Sequence, residues 1–174
     1  LRNTSDGIRL KQNWWLHCRS RPDLHRAIKH SARILVRARI ANVHSMTWVP
    51  SGWIYNEKVV VFVAVPFAVM QSQIHESWAR YHSTTLRRDM QYTPSDCLDT
   101  FPFPPADIER FDKIGERYFK HRHHIMTQHQ LGLTKTYGLM NEASNDERDV
   151  QTLRDLHSEM NSVVAVAYGW DDLK

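Results

Sequence analysis

The sequence predicts an α+β fold, with a mixed β-sheet packed with helices over residues 1–104 and a C-terminal helical hairpin subdomain over residues 105–174. Three observations carry this. β-Branched and alternating apolar runs are confined to the first half, at residues 33–40 and 58–65. Apolar residues at helical spacing dominate after residue 106, and Pro102, Pro104 and Pro105 separate the two regimes by removing backbone donors and holding the chain extended.

Trp14, Trp15 and Leu16 form an aromatic cluster ahead of the first helix signal. Pro22 near a first turn, with Ser20 or Asp23 as cap, predicts a short helix over residues 24–30. Residues 33–40 then alternate. Ile34, Val36, Ala38 and Ile40 fall on one face and Arg33, Leu35, Arg37 and Arg39 on the other, which predicts a strand displaying arginines in a row. Residues 45–49 form a second short strand, closed by a turn at Pro50, Ser51 and Gly52. The continuously apolar run at 58–65 predicts a strand buried on both faces, the expected centre of the sheet.

From residue 67 to 81 the period turns helical, with Phe67, Met70, Ile74, Trp78 and Tyr81 on the core face and Ser72, His75, Ala79 and His82 on another. A basic, hydroxyl-rich turn follows at Ser83, Thr84, Thr85, Arg87 and Arg88. Past the prolines, Asp107 opens a long helix ending about Leu131, and residues 133–140 form a shorter helical piece. Residues 149–168 form a second long helix, with Gly169 as its C-terminal cap, antiparallel to the first.

A chain of 174 residues buries about two-thirds of the surface it exposes when unfolded, enough for a core without external staples. Cys18 and Cys97 lack CxxC spacing, which fits a reducing, cytoplasmic compartment. The longest apolar run is broken by Pro66, far short of the roughly twenty residues a membrane helix needs. The opening at Leu1, without a signal-peptide core behind it, reads as a piece of a longer protein.

The net charge of +4 hides an asymmetry. Residues 1–100 carry 14 Lys and Arg against 7 Asp and Glu, whereas residues 101–174 carry 9 against 12. The basic half is the half expected to meet a polyanion. No acid occurs between Ser31 and Asn56, so the arginines of 33–40 lack local partners.

Arg37 and Arg39 sit two apart on one strand face, about 7 Å, close to the spacing of successive phosphates. Arg37, Arg39, Lys58, Arg80, Arg87 and Arg88 are the candidate phosphate or base contacts. Asn42, His44, Gln91 and Tyr92 are the candidate readers, since amides pair with adenine in the major groove. The bland alternative is a solvated face making surface ion pairs. The HRHH run at 121–124 invites a metal reading, with His17, His25 or His129 as third ligand. No carboxylate or cysteine completes the set, so a polar helix face is expected instead. Glycine-rich phosphate loops, GxSxG and HExxH are absent, and Asp96 and Asp99 have no partner that would raise either pKa.

LVRARI, then MQSQIHESWARYHSTTLRRDMQYTPSDCLDTFPFP, and finally LRDLHSEMNSVVAVAYGWDDL resemble the C-terminal target-recognition region of type IIG and MmeI-like restriction-modification methyltransferases. The resemblance runs from about Trp14 to Leu173, with TFPFP and AYGWDDL its most specific markers. It implies a specificity module that grips double-stranded DNA while an upstream methyltransferase domain of the same polypeptide binds AdoMet and receives a flipped adenine. No NPPY motif occurs in this chain, so no cofactor and no catalysis are expected of it alone. Two other readings compete: a helical protein-interaction scaffold docking on the parent enzyme or a partner, and an enzyme with an unrecognised site.

Overall fold

The computed structural model describes residues 21–86, 89–105 and 108–170. The aromatic cluster at Trp14, the helix start at Asp107 and the end of the AYGWDDL marker lie outside them. The described residues form an α+β fold of two small antiparallel sheets and seven helices, ending in a C-terminal helical pair.

Helix α1, Pro22–Ile28, starts with proline in its first turn, where the missing N–H costs nothing. Strand β1, Arg33–Ala38, follows, and the chain bends at Arg39 before β2, Ile40–Ala41. The single strand expected over 33–40 is therefore two strands in two sheets. The Arg39 backbone joins them: its N–H donates to Lys58 O at 2.7 Å, and its carbonyl accepts from Tyr92 N at 2.8 Å. Bends of this kind let one strand serve two sheets.

In the first sheet, β3 (Thr47–Pro50) and β4 (Val59–Phe62) flank β1 in the order β3-β1-β4, with Leu35 opposite both Trp48 and Phe62. This corrects the expected centre. The four residues Ile34 to Arg37 are buried, so β1 is the strand covered on both faces, while β4 buries alternate residues at an edge and Val63 is exposed. Leu35 faces the main core; Ile34 and Val36 face a second cluster closed by Ile28, Leu24 and Tyr55. The second sheet is β2-β6-β5, with β5 at Thr84–Leu86 and β6 at Asp89–Gln91.

The helix expected over 67–81 is two helices, α2 (Phe67–Gln71) and α3 (Gln73–His82). Ser72 separates them: its extended backbone ends one helix and its hydroxyl caps the next, accepting from His75 N at 3.3 Å. The break rotates α3, so His75 and Ala79 are buried and Tyr81, expected in the core, is 86% exposed. A single turn, α4 (Pro94–Cys97), leads to the proline-rich crossover, where Phe101 and Pro104 are buried.

Three helices complete the fold: α5 (Ile108–Gln128), α6 (Leu133–Asn141) and α7 (Arg148–Ala167). Helices α5 and α7 run antiparallel, since His121 donates to Asp149 O at 2.8 Å while Arg117 pairs with Glu159 at 2.5 Å. Gly169 closes α7 at φ 74°, as its left-handed cap requires. Gly115 lets α5 approach α2: a Cβ there would stand 3.1 Å from the Phe67 ring and 3.3 Å from the Ala68 nitrogen. One buried cluster runs from Leu35 through Phe67, Phe111 and Tyr118 to Val164, joining the first half to the helical pair.

Arg122 fastens that junction. It is among the largest fully buried side chains, and its fork donates to Gln71 Oε1 (3.1 Å), Tyr137 Oη (2.8 Å) and Met46 O (2.5 Å). Gln71 in turn accepts from Met46 N at 2.8 Å and donates to His44 O at 3.0 Å. The chain ahead of β3, helix α2, α5 and α6 thus meet at one guanidinium. Arg122→Leu should lower stability by about 3 kcal/mol, because buried acceptors lose their donor. Arg122→Lys should recover only part, since an ammonium cannot reproduce the fork; urea unfolding midpoints check both.

Candidate nucleic-acid interface

The ten residues singled out in the sequence fall into two layers and one remainder. Arg87 and Arg88 lie outside the described residues. Arg39, Asn42, Lys58, Arg80 and Gln91 are exposed or half-exposed around the second sheet. Ile40 pairs with Gln91, Arg39 Nε donates to Glu57 O at 2.8 Å beside Lys58, and Arg80 Nη2 donates to Asn42 O at 3.2 Å. Backbone bonds and short polar contacts therefore gather five residues spread over fifty positions.

Arg37, His44 and Tyr92 are the correction. Arg37 is only 2% exposed and does not stand beside Arg39 on an open face, because Leu35 and Arg37 share the face that the core covers. Its guanidinium lies 4.4 Å from the centre of the Tyr92 ring, Nε donates to Ala38 O at 3.1 Å, and Nη1 donates to His44 Nδ1 at 3.1 Å. Nη2 is buried without a partner among the described residues. No carboxylate lies within ion-pair distance among those residues, and burial lowers the Arg37 pKa to about 10.

These contacts fix the protonation of both histidines. Arginine only donates, so His44 Nδ1 accepts, and its Nε2–H donates to Met70 O at 2.8 Å. His75 Nδ1–H donates to the same oxygen at 3.1 Å, which leaves Nε2 to accept from the Tyr92 hydroxyl at 3.2 Å. Two donors converging on one carbonyl explain the 3.4 Å approach of the two rings. Burial, with Arg37 adding repulsion, holds His44 well below its ordinary value; burial lowers His75 to about 4 and raises Tyr92. The inner layer is a neutral, fully directed relay around one cation.

The sequence period puts His75 on a different helix face from the aromatic core stripe, whereas the structure buries it. Reading the HRHH run as a polar helix face misses Arg122. Among the described residues no three His, Cys, Asp or Glu side chains come together as metal ligands. Cys97 is buried, with its thiol toward Ala79 O; Cys18 lies outside the described residues. On the other side of α3, an apolar groove of about 800 Å³ is lined by Ile74, Trp78, Tyr81, Phe101, Tyr168 and Trp170. Tyr168 Oη donates to Pro102 O at 2.8 Å and ties the crossover to α7. No helix among the described residues is long and apolar enough to cross a membrane.

No protein-family model matches the chain, and no curated protein matches it. Its fold is similar to part of a solved structure, the Type IIL restriction-modification enzyme MmeI in complex with DNA. The TM-score is 0.56 at 18% identity, over 80% of this chain and 19% of that one. The chain thus spans about a fifth of that enzyme's length, and the likeness is one of fold.

The relay makes stability depend on pH. Both histidines have folded pKa values below the unfolded 6.5, so from pH 6.5 downward the unfolded chain takes up protons that the folded chain refuses. Stability is fully present above pH 6.5 and falls toward pH 4, by about 3 kcal/mol from His75 alone. Thermal melts between pH 7 and pH 4 should show this loss, and His75→Gln, less stable at pH 7, should show a shallower slope.

Proposed function

We propose that this chain is a double-stranded DNA recognition module of a restriction-modification adenine methyltransferase, and that it does no chemistry of its own. The observation that carries the reading is the gathering of Arg39, Asn42, Lys58, Arg80 and Gln91 at one small sheet, in a fold shared with an enzyme solved on DNA. Arg39, Lys58 and Arg80 supply the cations that displace condensed counterions from phosphates. Asn42 and Gln91 present amides that can bridge N6 and N7 of adenine in the major groove. Arg37, His44 and Tyr92 act from beneath, holding the Arg39 bend and β6 in register rather than touching DNA. In this reading AdoMet and the flipped adenine belong to an upstream domain of the parent polypeptide, and this chain supplies the sequence preference.

A second reading, a helical scaffold docking on the parent or a partner, draws on the aromatic groove between α3, the crossover and α7. Salt separates the two. Duplex binding by the module should weaken with a slope of log affinity on log salt near −4 to −5, for about five phosphates neutralised. Alanine at Arg39, Lys58 or Arg80 should each cut affinity severalfold and make the slope shallower by about one. Filter binding or anisotropy over 50–300 mM salt measures this; a salt-insensitive interaction, or none with any duplex, overturns the proposal.

A further inference from the structure

The connection from β3 to β4, residues 51–58, carries a feature that the phosphate contacts do not absorb. It must cross β1, because β3 and β4 flank that strand on opposite sides and both run antiparallel to it. Bonds fix it at both ends. Ser51 N donates to Ala32 O at 3.3 Å and its hydroxyl to Ser31 O. Lys58 N donates to Asn56 Oδ1 at 2.9 Å, Val59 N to Asn56 O at 3.3 Å, and Arg39 Nε to Glu57 O at 2.8 Å. In the middle, Tyr55 packs on the second core cluster and its hydroxyl donates to Pro50 O.

Between these anchors stand Trp53, 57% exposed, and Ile54, 71% exposed, after a Gly52 with open space around it. A single exposed apolar side chain is ordinary. Two adjacent ones, held out by a connection bonded on either side, are a built projection. Its downstream anchor is the bond from Arg39 Nε to Glu57 O, so the apolar tip and Lys58 share one segment and Arg39, at the β1–β2 bend, is tied to it. No acid occurs from Ser31 to Asn56, and Glu57, exposed at the downstream end of the connection, is the one carboxylate that the segment itself carries, beside Lys58.

We propose that Trp53 and Ile54 form an apolar wedge that enters a base step of the duplex and unstacks it, while Arg39 and Lys58 hold the flanking phosphates. The inference rests on the DNA-recognition reading and deepens it: part of the sequence preference then comes from how readily a step opens, with pyrimidine–purine steps the easiest. Apolar insertion neutralises no phosphate, so it has a signature distinct from the cations.

The test uses the full chain and short duplexes that carry end-to-end fluorophores and a single 2-aminopurine scanned across the site. The wild type should shorten the end-to-end distance and brighten 2-aminopurine at one step. The double variant Trp53→Ser, Ile54→Ser, with its thermal melt unchanged because both side chains are exposed, should lose both signals and about tenfold in affinity while keeping the wild-type salt slope. Wild-type binding with the expected salt slope but no bend and no brightening, or a double variant equal to wild type, overturns the wedge and leaves the recognition reading standing. No wild-type binding to any duplex overturns both.

Discussion

The fold is organised around two guanidinium groups held inside it without a carboxylate in ion-pair range among the described residues. A charge removed from water is costly unless its donors are met, and the surroundings of Arg122 and Arg37 supply neutral acceptors for most of them, Arg37 Nη2 being left without one among the described residues. Arg122 finds a carbonyl, an amide oxygen and a hydroxyl, with the faces of Phe67, Tyr118, Phe119 and Tyr137 within 6 Å of its central carbon. Arg37 finds an imidazole nitrogen, a carbonyl and the Tyr92 ring. Neutral acceptors satisfy hydrogen bonds without cancelling charge, so both cations still act on their neighbours. The repulsion that Arg37 adds to burial at His44 and His75 is one result, and the seating of β6 is another.

The two layers of the candidate interface follow from this. Tyr92 stacks on Arg37 and bonds His75, and its backbone N–H bonds Arg39 O, so the residue after β6 is fixed through ring, hydroxyl and amide. Gln91 and Arg39 therefore present their side chains from a backbone fixed from below. Side chains on rigid, internally bonded elements are positioned more closely than side chains on free loops, and they lose less conformational entropy on meeting a ligand.

Period and punctuation made much of the architecture legible in sequence. Alternation at 33–40 correctly divided Ile34 and Val36 from Leu35 and Arg37; the prolines at 102–105 marked the crossover; Gly169 marked the end of α7. Alternation reports which residues share a face and says nothing of which face is covered. That is why Arg37 was expected in solvent and lies in the core. β4 was expected at the centre because apolar runs look alike whether one or both faces are packed. The split at Ser72 was hidden because a serine inside an apolar helical pattern carries no breaker signal, although it is a good cap when the chain turns. Among the candidate contacts, only long-range pairing, Ile40 with Gln91 and Arg80 with Asn42, brought the surface set together, and no local pattern encodes it. Arg122 was masked by the histidines beside it, because composition cannot distinguish an outward from an inward position on a helix turn.

The Arg122 junction also fixes where this chain can be cut and rejoined. A chimera spliced at the prolines, the boundary that composition suggests, would give Met46 and Gln71 one ancestry and Arg122 and Tyr137 another, so grafts would be compatible only between parents sharing that quartet. The strip that bends at Arg39 and returns through β5 and β6 contributes no donor or acceptor to the quartet. Exchange of surface chemistry between homologous chains is therefore best confined to that strip, with the buried guanidinium left as common chassis.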